Sequence, residues 1–363
     1  MAEARPMTPS ARPTVGDVAR RASVSMMTVS RVLNNGAGVS PDMRARVQRA
    51  IRELNYVPNH AAQALAAKRT TRNVAFLFDT PNAAVLGEMV SAGFRKARLA
   101  RVELVLIKVQ AFDDPRSTCE TIANLGIRGV ILSPPLCDDV RLRVHLNKKG
   151  IRIVAIGCDD ADPALSTIGI DDRRAAFELT HYLLQLGHRR IGFIAGHPRH
   201  RSSARRRAGY EAALLEHGVQ PDPAMQWEGN YTFDSALIAA EHALGSNHRP
   251  TAIFASNDDM AAAVISVARD RGVSIPRSLS VCGFDDSEVA LMVGPRLTTV
   301  GQSVGMMASW GIRQLAEELG ALERGDEPQV RKVLLDHKIA YRESVAPPER
   351  TVAPHRIAAA SEG

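Results

Sequence analysis

Two hydrophobic periodicities divide the chain. Between residues 14 and 54, apolar positions recur at helical spacing in three bursts, about 15–21, 26–34 and 41–54. Thr14, Ser25 and Ser40 each stand where a side-chain oxygen caps a first turn. Pro41 opens the third helix, and Asn35-Gly36 ends the second. Val18, Ala19, Val24, Val29, Val32, Val47, Ile51 and Leu54 predict one small shared core. The link Ala22-Ser23-Val24-Ser25 is short enough to turn the second helix sharply on the first, which predicts a helix-turn-helix.

From Asn73 the period changes. Short apolar runs at 74–78, 102–107, 129–132, 153–156, 190–194, 252–255, 279–282 and 333–335 predict buried strands. Helical patterns at 86–100, 117–125, 173–186, 203–216, 235–244 and 259–271 alternate with them. Strand alternating with helix predicts parallel sheets in an α/β core. Two blocks stand out, about 73–168 and 171–297. The expected plan is a disordered tail at 1–12, an all-α head at 13–58, and a hinge helix with linker at 59–72. A two-lobed α/β core follows at 73–345, and a second disordered tail at 346–363. The first lobe is expected to hold about 73–168 plus 299–330, the second about 171–297 plus 331–345.

Charge sharpens this division. The chain of 363 residues has a formal net charge of +7. Between residues 11 and 72, eleven Arg or Lys face only three acids, so the basic excess sits in the head and hinge. A basic head on a near-neutral body predicts a polyanion partner for the head alone. Cys119, Cys137, Cys158 and Cys282 show no CxxC pairing and are expected to be reduced, buried thiols of a cytosolic protein. No apolar run has the length of a membrane span, and no h-region marks a secretory signal, so a cytoplasmic location without a membrane partner is expected.

Enzyme chemistry finds little purchase. No GxGxxG follows a strand, no P-loop or GxSxG occurs, and the aspartates lack a paired His or metal-ligand spacing. No cofactor or metal is predicted. Polar residues instead follow the expected strands, where ligands lie in open parallel sheets. They are Asp79, Thr80 and Asn82, then Asn257 and Asp258, then Asp285 and Asp286. Asp171 and Asp172 fall at the crossover between blocks, and Arg206 begins a helix. Carboxylates that accept hydroxyl bonds, a guanidinium fork, and aromatic cover from Tyr231 or Phe78 suit a polyhydroxylated ligand. The alternative is capping, since Asn or Asp after a strand often caps the next helix. It weighs most for Asp172, Asp258 and Asp286. The Arg199, Arg201, Arg205, Arg206, Arg207 run is read as a solvated surface except at Arg206.

The chain resembles the lactose-repressor/galactose-repressor family. The resemblance rests on Asp17-Val18-Ala19, on Val24-Ser25-x-x-Thr28-Val29-Ser30-Arg31-Val32-Leu33-Asn34 and on Asn55-Tyr56-x-Pro58-Asn59. In the body it rests on Leu186-Gly187-His188-Arg189-Arg190-Ile191, Arg206-x-x-Gly209-Tyr210, Val281-x-Gly283-Phe284-Asp285-Asp286 and Pro295-x-Leu297-Thr298-Thr299-Val300-x-Gln302. It implies a homodimer, an operator-binding head, and a core like periplasmic sugar-binding proteins. It supports Arg206, Asn257 and Asp285 most strongly as ligand residues, then Asp171 and Tyr231. A sugar or sugar derivative is the expected ligand, with a nucleobase or nucleoside second. Release from DNA is the expected response, and corepression would use the same machinery with opposite sign.

The candidate DNA-facing residues are Thr14, Ser25, Met26, Met27, Thr28, Ser30, Arg31, Asn34, Tyr56, Asn59, Ala62, Leu65 and Lys68. Thr28 and Ser30 can bond phosphates and set register, and Arg31 can reach guanine or a phosphate. Met26 and Met27 stand where the family varies to choose its operator. They can pack on thymine methyls. Core filling is the alternative for both, but Val29, Val32 and Leu33 already supply the inner face. Leu65 stands where the family inserts a leucine into the minor groove, and small Ala62 permits close approach. A plain linker is the alternative there. His188 is expected to be a conformational or surface residue rather than a ligand contact.

Overall fold

The computed structural model describes residues 14–33, 39–54, 72–80, 82–158, 162–246 and 248–349. Asn34, Tyr56, Asn59, Ala62, Leu65, Lys68 and the side chain of Ser30 therefore lie outside the described residues, as do 1–12 and the tail from 350. The chain divides into two compact units, with the boundary along the sequence between Thr71 and Arg72.

The first unit holds α1 (Val15–Ala22), α2 (Met26–Leu33) and α3 (Pro41–Glu53). Thr14 and Asp17 cap α1 reciprocally. The Asp17 backbone N–H donates to the Thr14 hydroxyl at 3.3 Å, and the Thr14 N–H to the Asp17 carboxylate at 2.8 Å. Ser23 ends α1 in the left-handed region at φ 53°, which turns the chain within three residues into α2. The Thr28 N–H donates to Ser25 Oγ at 3.1 Å, so Ser25 caps α2. Val18, Val29 and Val47 are fully buried and bring the three helices onto one core.

The second unit contains two six-stranded sheets. The first runs β1 (Arg72–Phe78), α4 (Ala83–Ala100), β2 (Val102–Lys108), α5 (Pro115–Asn124), β3 (Gly129–Leu132), α6 (Val140–Lys148), β4 (Arg152–Ile156) and β5 (Ser166–Ile170). The chain then crosses over through α7 (Asp172–Gln185) into β6 (Ile191–Ala195), α8 (Arg201–Glu216), β7 (Gln226–Glu228), α9 (Phe233–Gly245), β8 (Ala252–Ala255), α10 (Asp258–Asp270), β9 (Ser280–Asp285), α11 (Glu288–Met292) and β10 (Thr298–Gly301). It returns through α12 (Val304–Arg324) to β11 (Lys332–Leu335) in the first sheet, and ends in β12 (Lys338–Ala340) in the second. The lobes are thus joined by three crossings.

Strand order explains why most strands read as unbroken apolar runs. The first sheet is ordered β2-β1-β3-β4-β5-β11 and the second β7-β6-β8-β9-β10-β12. Helices cover both faces of each, so alternate residues of one strand enter different cores. Val74 and Phe76 face the α4–α12 side, while Ala75 and Leu77 face the α5–α6 side. In the second sheet, Phe193 and Phe254 face α7–α8, while Ile194 and Ile253 face α9–α10.

Four strands depart from the expected pattern. β5, β7, β10 and β12 were absent from the apolar runs, and β12 pairs antiparallel to β10 in an otherwise parallel sheet. Two lobe boundaries also need correction. Residues 298–301 pair with β9 in the second sheet rather than joining the first lobe, and 332–335 pair with β5 in the first rather than joining the second. The order outside the lobes extends past 345. The Ala346 N–H donates to Ser280 Oγ at 3.0 Å, and its carbonyl lies 2.9 Å from His188 Nε2. His188 is accordingly buried, bonded also to Thr251 Oγ1 at 2.9 Å, and is a tie for the chain end rather than a surface residue.

Candidate effector cleft and DNA-reading helix

Both sheets reverse strand order between their first and third strands, β1/β3 and β6/β8. A crevice opens beyond the carboxyl ends of strands at such a point. Here the two crevices face one cavity. From the first lobe come Thr80 and Asn82 after β1, Ser133 and Pro134 after β3, and Gly157 after β4. From the second come His200, Ser202 and Arg206 after β6, Asn257 after β8, and Asp285 at the end of β9. Tyr231, Gln302, Met89 and Met307 complete the walls. At the mouth, the Arg201 backbone N–H donates to Asp138 at 3.1 Å and the Arg199 guanidinium lies 4.6 Å from the Phe112 ring centre, so contacts span both lobes.

Arg206 is the electrostatic centre. It is buried with Asp172, its Nε donating to the carboxylate at 2.8 Å. Its guanidinium packs 3.6 Å over the Phe284 ring centre and 5.8 Å from that of Tyr231. Burial works against its charge, but Asp172, Tyr231 and Asp285 outweigh it and raise its pKa. Burial raises the pKa of Asp172, and Arg206 pulls it back. Burial also pushes Asp285 well above the carboxylate range, against the pull of Arg206. Gln302 Nε2 donates to Asp285, which sits at φ 124° in a region L residues rarely occupy.

The aromatic wall depends on a missing side chain. A Cβ at Gly196 would fall 2.0 Å from the Tyr231 ring, so only glycine lets that ring lie over the end of β6. Tyr231 OH and Ser202 Oγ are 3.0 Å apart, and the His200 ring tilts against Tyr231 at 5.3 Å. Burial, then His197, lowers the His200 pKa to about 4, which keeps the ring neutral at neutral pH. Asn257 caps α10, its Oδ1 accepting from the Met260 N–H at 3.0 Å, while its Nδ2 donates to the Tyr231 carbonyl at 3.2 Å. Asn82 caps α4 in the same way, but its Nδ2 is buried with no protein partner. A buried donor left open in a cavity wall is a place for a ligand acceptor.

Four of the seven expected ligand residues, Arg206, Tyr231, Asn257 and Asp285, meet in this cavity. Three do not. Phe78 packs half-buried on the core beneath α4, Asp79 accepts the Ala111 N–H at 2.7 Å, and Asp171 is exposed and caps α7 through Arg174. Strand position alone does not tell which way such a residue turns. Ser133, His200, Ser202 and Gln302 were missed. Only Gln302 had a signal, as the last residue of a quoted motif.

In the head, Met26 and Met27 are 60% and 66% exposed, so neither fills the core. Arg31 is exposed and Thr28 half-buried. A flexible apolar pair with a guanidinium thus lies on the outer side of α2.

Residues 14–59 match the lacI family of bacterial regulatory proteins, and residues 180–345 match a periplasmic binding protein-like domain. Catabolite control protein A of Priestia megaterium is 32% identical over 334 residues, covering 91% of this chain and 98% of that protein. The chain belongs to the LacI family. Like other LacI-family proteins, it is a DNA-binding transcriptional regulator. Among solved structures, a complex of the transcriptional regulator CelR with cellobiose is 30% identical, with TM-score 0.68 and coverage of 92% of this chain and 100% of that one. The lac repressor dimer bound to operator and the anti-inducer ONPF is 25% identical, with TM-score 0.80 and coverage of 93% and 100%. Among the described residues, no helix is long and apolar enough to cross a membrane.

Proposed function

We propose that this regulator is a repressor of carbohydrate-utilisation genes that binds a palindromic operator as a homodimer in the cytoplasm, on nucleoid DNA, and is released by a sugar or sugar derivative. The observation that carries the ligand class is the cavity where Arg206, Asn257 and Asp285 converge beside Tyr231, with the Asn82 amide open. Hydroxyls can donate to Asp285 and accept from Arg206 and Asn82, while Tyr231 and His200 cover C–H faces. The CelR complex with cellobiose and the lac repressor dimer support the same reading by similarity. Exposed Phe94 and Leu99 on the first lobe, and Ile238, Leu291 and Met292 on the second, offer each lobe apolar surface for a second copy.

A ligand held by both lobes favours one lobe angle, because the three crossings let the sheets move as bodies. That angle sets whether two hinges can meet on DNA, with Leu65 and Ala62 at the minor groove and Tyr56, Asn59 and Lys68 on the backbone. Operator and effector are then linked reciprocally. The test is a thermal-shift screen of sugars on the full chain, followed by operator titrations with each hit. A sugar that raises the melting temperature and weakens operator binding supports the reading. Tightened binding reverses the sign to corepression. Stabilisation by nucleobases alone would overturn the sugar assignment.

A further inference from the structure

α7 and α8 pack side by side on the second sheet. Their N-terminal ends carry Asp172 and Arg206. Their C-terminal ends bring together three other side chains: His181 on α7, Glu216 at the last position of α8, and His217 as its cap. One donor atom from each lies within 4.8 Å of the other two. His181 Nδ1 is 3.9 Å from Glu216 Oε1, and the two imidazole rings meet edge-on with centres 4.7 Å apart.

The hydrogen bonds around these rings set which nitrogens are open. His217 Nδ1 lies 3.1 Å from the Ala213 carbonyl oxygen. A carbonyl only accepts, so Nδ1 carries the proton and Nε2 keeps its lone pair. His181 Nδ1 is buried without a hydrogen-bond partner, and Nε2 lies 2.7 Å from the Gln185 amide nitrogen. As placed, that nitrogen donates to Nε2; turned end for end in the same space, the amide offers its oxygen instead, Nε2–H donates, and Nδ1 is left with a lone pair for a metal. A histidine whose second nitrogen donates to a carbonyl is the usual state of a metal ligand. A simple His181–Glu216 ion pair does not account for the arrangement, because 3.9 Å is too long for a hydrogen bond and leaves Nδ1 unpartnered.

We infer that His181, Glu216 and His217 form a site for a divalent transition-metal ion of the zinc type. Two imidazole nitrogens and one carboxylate match its donor preference and leave a fourth position for water. Ligand atoms around tetrahedral zinc stand about 3.3 Å apart at bond lengths of about 2.0–2.2 Å. The present separations, up to 4.8 Å, would have to shorten on binding, and the exposed Glu216 side chain is the one with room to turn inward. The Phe177 ring stacks on His181 at 5.9 Å and forms an apolar wall. A bound ion would staple the C-terminal ends of the two helices whose other ends carry the Arg206–Asp172 pair, roughly 13 Å away along α7.

The experiment is equilibrium dialysis of the full chain, stripped with chelator, against Zn²⁺ and Co²⁺, with visible spectra of the Co²⁺ form. The expected result is one ion per chain, d–d bands of a four- or five-coordinate site, and a higher melting temperature. His217→Ala and Glu216→Gln should each weaken binding about 10-fold or more, and His181→Ala should abolish it. Should His181→Ala fail to fold, the two substitutions at the helix end carry the test. Less than half an equivalent bound at about 100 μM Zn²⁺, or undiminished binding in His217→Ala and Glu216→Gln, would overturn the site.

Discussion

Arg206 and Asp172 face each other at 2.8 Å across α8 and α7, both almost fully buried, with the cavity on their open side. The pair joins fold and function. Asp172 holds the guanidinium in place, and its remaining donors can serve a ligand. Arg206→Met leaves a buried carboxylate without its counter-charge, at a cost of about 3–5 kcal/mol. Arg206→Lys keeps the charge but loses the fork. Its stability should fall less, while affinity for the effector drops by roughly 100-fold. Denaturant unfolding and effector titration check both. Wild-type effector affinity in Arg206→Lys would remove Arg206 from the binding role.

Gly209 sets how closely α7 and α8 approach. A Cβ there would stand 2.1 Å from the Arg173 carbonyl oxygen and 2.9 Å from the Phe177 nitrogen, both backbone atoms that cannot turn aside. Gly209→Ala should therefore cost about 1–3 kcal/mol or more and separate Arg206 from Asp172. Gly87, within α4, has nothing within 4 Å of its Cβ position. Gly87→Ala should be neutral or stabilising by up to about 1 kcal/mol. Melting temperatures of the two variants give the comparison.

The contrast between found and missed elements has a physical basis. β1, β3, β4 and β8 are central strands covered on both faces, so their fully buried positions are filled by apolar residues or glycine. β5 is equally buried, yet it reads Ser-Thr-Ile-Gly-Ile. Ser166 is satisfied by the buried Glu318, and a Cβ on Gly169 would stand 2.9 Å from the Cys158 carbonyl oxygen. Tertiary partners that tolerate such residues leave no local trace. The same holds in the site. Asn257 follows β8 and Asp285 ends β9, so both could be read from position, whereas Arg206, inside α8, was marked by the helix it was expected to open and by the resemblance. His200 lies on the loop after β6, and Gln302 directly follows β10, a strand that no apolar run marks, so neither position stood out although both line the cavity. Asp79 and Asp171 met the positional rule, but their carboxylates satisfy nearby backbone N–H groups instead.

Met27 is two-thirds exposed on α2 and contributes nothing to the head's core. Met27→Ala should leave the head's stability within about 0.5 kcal/mol. Phosphate contacts carry most of the affinity, so overall operator binding should change little while preference at one base pair changes. Selection from a randomised operator pool reads this. An unchanged preferred sequence would show that Met27 does not choose bases.

Asp258, fully buried behind the cavity, should tie stability to pH. Its carboxylate accepts the Thr299 hydroxyl at 2.6 Å, the Ser287 N–H at 2.8 Å and the Ser287 hydroxyl at 3.0 Å. Burial outweighs these bonds and pushes its pKa up to about 7. The folded protein then keeps a proton between pH about 4 and 7 that the unfolded chain has lost. Stability from this group is present below that window and falls as pH rises through it, with a slope approaching about 1.4 kcal/mol per pH unit. Asp285, also raised, has the same sign. His200 has the opposite sign. Its pKa is lowered to about 4, so the unfolded chain binds its proton first and stability rises from about pH 4 to 6.5. The raw pH profile mixes these contributions, whereas the difference between Asp258→Asn and wild type cancels that of His200 and leaves that of Asp258 together with its push on Asp285. Measured by urea unfolding at steps from pH 4.5 to 8, the variant should gain relative to wild type up to pH about 7 and then hold a constant difference. A difference that does not vary with pH would show that Asp258 is ionised throughout.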